Sequence, residues 1–114
     1  MMNHITIRPT EGTWVIRAGG AVLGESNRTL ELTEGDMPGV IFFPREDIAM
    51  AFLEPSDYRT INQHIGEATH FTIASKSRSY ENAVLSYESP RDEAAPLAGY
   101  LAFQVQDGVA VEQV

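Results

Sequence analysis

The feature that most constrains this chain is alternation. Short runs take apolar and polar residues in turn, and Gly, Pro or an Asp–Gly pair closes each run within a few residues. A period of two puts one face of an extended segment on a core and the other in water. Ile5 and Ile7 alternate with Thr6 and Arg8 and stop at Pro9. Trp14 and Ile16 alternate with Val15 and Arg17 before Gly19-Gly20, a tight-turn signal, and Ala21 to Leu23 return. Leu30 and Leu32 repeat the pattern, whereas Val40-Ile41-Phe42-Phe43 is apolar on both sides, as a strand covered on both faces would be. Strands resume at His70–Ala74, Asn82–Tyr87, Gly99–Val105 and Val109–Val114, with turns at Lys76–Ser79 and Gln106–Gly108. One segment departs from the pattern. Pro44-Arg45-Glu46-Asp47 places Pro and acids in a first turn ahead of Ile48 to Leu53, which predicts one short helix near residues 45–53, stopped by Pro55. Ser56 to Gly66 is polar and reads as an extended loop, and Pro90 to Pro96 as a loop or a single helical turn. About eight short strands with one helix predict an all-β domain, and a closed or tightly curled sheet would remove its free edges.

The 114 residues make one domain, 1–114, and 43% hydrophobic residues are enough for its core. Charge excludes more than it supports. The net charge is −8, and both halves are acidic, so the chain is not expected to follow a nucleic-acid backbone or an anionic membrane surface. With no Cys there is no disulfide, thiolate nucleophile or thiolate-bound metal. No basic, apolar leader opens the sequence and the longest apolar run is Val40 to Phe43, so the expected location is cytoplasmic.

The central text carries a specific pattern. Phe42-Phe43-Pro44-Arg45-Glu46-Asp47 is followed by Leu53-Glu54-Pro55-Ser56, then by Thr60-Ile61-Asn62-Gln63-His64-Ile65-Gly66-Glu67-Ala68. Leu85-Ser86-Tyr87-Glu88-Ser89-Pro90 and Leu97-Ala98-Gly99-Tyr100-Leu101-Ala102-Phe103 come later. In order and spacing, over roughly residues 12–112, this resembles the domain-of-unknown-function family numbered 427. The resemblance implies a small, strongly bent antiparallel sheet, tent- or barrel-like, with an internal cleft under the 56–66 loop. Asn62, Gln63 and Ile65 stand where the family's motif has Cys, Pro and Lys, and Leu85 where it has Trp. Chemistry resting on that Cys or Lys is therefore absent here. The family sometimes carries a nucleotidyltransferase label, but this sequence has no glycine-rich phosphate loop, paired-Asp metal motif or suitably placed Lys.

The polar loop and the strand–helix junction supply the candidate site, a cleft for a small polar ligand lined by Arg45, Asp47, Thr60, His64 and Tyr87. Arg45 would give a bidentate donor, Thr60 and Tyr87 hydroxyl contacts, and His64 or Asp47 a titratable group. Two other readings stand beside it. One is a non-catalytic interaction or assembly module, with pairing to another protein or a second copy of the chain. The other is an enzyme using His64 with Asp57 or Asp47 as acid–base groups, though no catalytic set rises above background. His64 and His70 with Asp57 or Asp47 would make a two-His, one-carboxylate metal set, but their spacing matches no metal motif. No metal and no cofactor are therefore expected.

Overall fold

Gly19 and Gly20, with φ of 58° and 83°, reverse the chain in two residues, a turn that side-chain-bearing residues adopt only with strain. They join β2 (Trp14–Ala18) to β3 (Ala21–Ser26), with Ala18 opposite Ala21. The same turn chemistry and alternation run through the rest of the computed structural model, which describes residues 4–76 and 78–114. Met1–Asn3 and Ser77, within the expected Lys76–Ser79 turn, lie outside the described residues.

Among the described residues there are ten strands. The others are β1 (Ile5–Pro9), β4 (Leu30–Glu34), β5 (Val40–Phe43), β6 (Leu53–Asn62), β7 (Gly66–Ala74), β8 (Ser79–Ser86), β9 (Leu101–Phe103) and β10 (Val109–Gln113). They form a seven-stranded antiparallel sheet in the order β1-β4-β5-β9-β8-β7-β6, and a three-stranded sheet in the order β10-β2-β3. The fold is all-β, as the alternation predicts, and the large sheet does not close into a barrel.

Two cores follow from the two faces of the large sheet. Phe43, Phe71, Val84, Leu101 and Phe103 pack against Ile16, Leu23 and Val109 of the small sheet. Leu32, Phe42, Ala68, Tyr87 and Ala102 form the second core, closed by Ile65 and by Ala94 and Leu97 of a 3₁₀ segment at Asp92–Leu97. Neighbouring Phe42 and Phe43 serve opposite cores, which is why β5 is apolar on both sides. The sheet is bent enough that Asn62, ending β6, donates through Nδ2 to the Glu34 carboxylate, ending β4, at 3.1 Å. Four strands separate those two in the sheet order.

Two local expectations are corrected. The segment 45–53 is not a helix but two 3₁₀ turns, Arg45–Asp47 and Met50–Phe52. Between them Ile48 bridges Gly24, and Ala49 N–H donates to Leu23 O at 2.8 Å, so β3 captures backbone groups a helix would need. A run this short has too little cooperativity to resist. Gly24 makes the approach feasible, because a methyl group there would overlap Asp47 O and Ile48. The stretch 56–66 is not a loop but the arms and tip of the β6–β7 hairpin. β6 is the outer strand of its sheet and is exposed along most of its length, so its polarity reflects an edge and not an absence of structure. A register shift between Ser56 and Arg59 leaves Asp57 and Tyr58 bulged outward.

Candidate functional site

The structure spreads the five sequence-derived residues over separate surroundings. Arg45 spends its donors internally: Nε donates to Gly99 O (3.0 Å), and Nη2 donates to Ser86 Oγ (3.1 Å) and Glu88 Oε2 (2.7 Å). Its guanidinium lies 5.6 Å from the ring centre of Phe71, on the first-core side of the sheet. Asp47 accepts from Arg28 Nη2 through both carboxylate oxygens at 3.2 Å and sits in a polar recess of about 260 Å³ with Arg28, Glu25 and Ser26.

The other three gather around the β6–β7 hairpin. Thr60 is opposite Ala68 and half-buried. His64, at the tip, donates its backbone N–H to Asn62 Oδ1 at 2.8 Å. Tyr87 is buried in the second core, 6.3 Å from Phe42 between ring centres. Burial pushes its hydroxyl pKa up, the Glu34 charge adds to this, and the Asn62 side chain opposes it. Among the described residues no three His, Asp or Glu side chains gather as a metal site requires, so His64, His70, Asp57 and Asp47 do not form one set.

Asn62 and Ile65, two of the positions where the resemblance implies other residues, have structural work. Asn62 Oδ1 accepts from the N–H groups of His64 and Ile65 (2.8 and 3.1 Å), which holds the turn, while its amide reaches Glu34. Ile65, in place of Lys, is fully buried in the second core.

A larger cavity than the Asp47 recess lies elsewhere. β5 and β9 pair only at Phe42–Ala102 and Phe43–Leu101. Beyond that point Val40 and Ile41 stay with β4, whereas Gln104 N–H donates to Ala83 O at 2.7 Å and the chain leaves for β10. The two strands diverge, and the wedge between them holds a cavity of about 620 Å³, within the usual range for small-molecule sites. Ten of its fifteen lining residues are apolar, including Trp14 and Val111 from the small sheet. Val40 and Val105, 42% and 64% exposed, line it and also face solvent.

Its polar lining residues are Glu31, His70, Asn82 and Gln104. His70 is only 6% exposed, and its Nδ1 is buried without a hydrogen-bond partner. Tyr58 stands edge-on to the imidazole at 4.8 Å. Burial lowers the pKa of the ring; the backbone carbonyls of Tyr58 and Ala68 oppose this, and the Arg59 charge adds to it. Asn82 takes a positive φ of 54°, its N–H donating to Thr72 Oγ1 at 3.2 Å and its side chain meeting Ser56 Oγ. None of the five sequence-derived residues lines this cavity. The alternation His70-Phe71-Thr72-Ile73 does put His70 on the face opposite Phe71 and Ile73. The divergence of β5 and β9 leaves no such mark, because it depends on where two distant strands cease to pair.

Together these features define a two-layer antiparallel β domain whose large sheet splits around a mainly apolar cavity with a few polar lining groups. The family model of a domain of unknown function, DUF427, matches residues 6–114, and the chain belongs to that family. A comparison with curated proteins found no match. Among the described residues no helix is long and apolar enough to cross a membrane.

Proposed function

We propose that this protein binds a small, mainly apolar molecule in the wedge between β5 and β9. The observation that carries this reading is the cavity itself. It is large enough for a metabolite-sized ligand, it is lined mostly by apolar side chains, and it offers a few polar groups, the composition by which ligand sites combine affinity with orientation. The occupant differs from the polar ligand that the sequence suggests, because Arg45 and Asp47 already have internal partners.

Trp14, the sole tryptophan, lines the cavity, so its emission reports occupancy. Titration with small aromatic alcohols is expected to change that emission saturably. Val105→Arg, at an exposed position, is expected to abolish the change by placing a long charged chain across the opening. No saturable change in the parent protein, or an identical response in the variant, refutes the reading.

A second reading has one observation of its own. β6 is an edge strand of ten residues, and Ile61 on it is 78% exposed. Such an edge can pair with another strand, which would make the protein an assembly module or a homo-oligomer. Light scattering of the parent protein and of Ile61→Lys decides it. A dimer that the variant disperses supports this reading, and a parent monomer at working concentration ends its homo-oligomer form.

A further inference from the structure

The cavity lining carries a charge of one sign. Among the described residues Glu31 is the acidic side chain of the lining, and no Arg or Lys lines the space. Buried His70 adds no reliable positive charge there, since desolvation favours its neutral form. The Glu31 carboxylate forms no ion pair within the described residues. Arg8 is opposite Glu31 on β1, but its side chain is exposed and outside ion-pair distance.

The carboxylate is also seated. A methyl group built on Gly39 would overlap Glu31 Oε2, so the bare backbone of Gly39 is what lets the side chain lie at the cavity wall. Gly39 has no positive φ, so steric room is its evident role. An anionic ligand would enter a cavity that offers repulsion and no cation, within a protein of net charge −8. A cationic group would meet both the local carboxylate and the favourable overall field.

We propose that the cavity takes an amphipathic amine, its ammonium on the Glu31 carboxylate and its apolar body along Trp14, Ile41 and Phe103. This rests on the ligand-binding reading above and adds the chemical class of the occupant. The ammonium donates its N–H groups to Glu31, and the body displaces water from the wedge. The pair sits partly out of bulk water, so its attraction is less screened than at an open surface.

The test uses three probes of one shape: 4-phenylbutylamine, 4-phenylbutanol and 4-phenylbutanoate. Binding to the full chain is followed by amide and indole chemical shifts, with the single Trp14 indole signal marking the cavity. The amine is expected to bind about tenfold more tightly than the alcohol, the size of one charge-assisted hydrogen bond in a half-buried site, and the carboxylate weakest. Glu31→Gln should bring the amine down to the alcohol and leave the alcohol unchanged. Gly39→Ala, which displaces the carboxylate without removing it, should lower the amine's advantage in part. Alcohol binding as tight as amine, or carboxylate binding tightest, overturns the amine assignment while the cavity remains a ligand site. No shift at the cavity with any probe overturns both.

Discussion

Replacing Asn62 by alanine tests how the bent sheet is held. The side chain makes three contacts at once: Oδ1 accepts from His64 N–H at 2.8 Å and Ile65 N–H at 3.1 Å, and Nδ2 donates to Glu34 at 3.1 Å. Losing the two turn-holding bonds resembles losing a helix N-cap, about 1 kcal/mol. The bond to a half-buried carboxylate contributes about 1 kcal/mol more once exchange with water is counted. Asn62→Ala is therefore expected to cost about 2 kcal/mol, a fall in Tm of roughly 6–12 °C for a domain of this size. Urea unfolding and thermal circular dichroism measure both. Asn62→Asp separates the two parts: it keeps the acceptor for the turn but puts a carboxylate against Glu34, and it should be rescued in part by Glu34→Gln. Asn62→Cys, which carries the residue of the family's motif, should be nearly as costly as alanine because sulfur is a weak acceptor. A loss below about 0.5 kcal/mol in Asn62→Ala, or an Asn62→Asp variant as stable as the parent, would show that the reasoning about this contact is wrong.

Three further outcomes follow from the same geometry. His70 is buried with its pKa lowered below the ordinary 6.5, so the unfolded chain binds more protons than the folded one as pH falls through that value. Stability should decline on acidification below about 6.5, and His70→Gln should flatten that part of the profile; equal slopes in urea midpoints between the two proteins count against it. Gly24→Ala places a methyl against Asp47 O and Ile48, and is expected to cost about 1–3 kcal/mol in chemical unfolding; a neutral result would mean the 45–52 segment shifts freely. Arg45→Met should destabilise by about 1–2 kcal/mol while leaving binding in the β5–β9 wedge unaltered, since Arg45 serves Gly99, Ser86 and Glu88 and does not line that space.

The strands were legible wherever one face is buried. Ile5 to Arg8 and Leu30 to Thr33 alternate because water and a core compete for successive residues, and the structure pairs both; Trp14 to Arg17 also forms a strand, although Val15 is buried beside Ile16. Phe42-Phe43 announced a strand between two cores for the same reason. What sequence reasoning missed depends on partners distant in the chain. Ile48 and Ala49 have helix-like neighbours but hydrogen-bond to β3. Ser56 to Asn62 is polar because β6 is an edge strand, a fact decided by the order of the whole sheet. The candidate site suffered most. Arg45 and Asp47 look available in the sequence, yet Glu88 and Arg28, which occupy them, lie 43 and 19 residues away. The cavity arises where β9 parts from β5, and its charged wall residue, Glu31, reads in sequence as the outward member of an ordinary alternating strand.

The wedge as a ligand site is the central claim, and chemical-shift mapping with a set of small aromatic fragments tests it most directly. The account predicts shifts concentrated on Val40, Ile41, Leu85 and Val105 and on the Trp14 indole, all removed together by Val105→Arg. Shifts centred instead on Arg45, Asp47 and His64, or scattered without saturation, would contradict it.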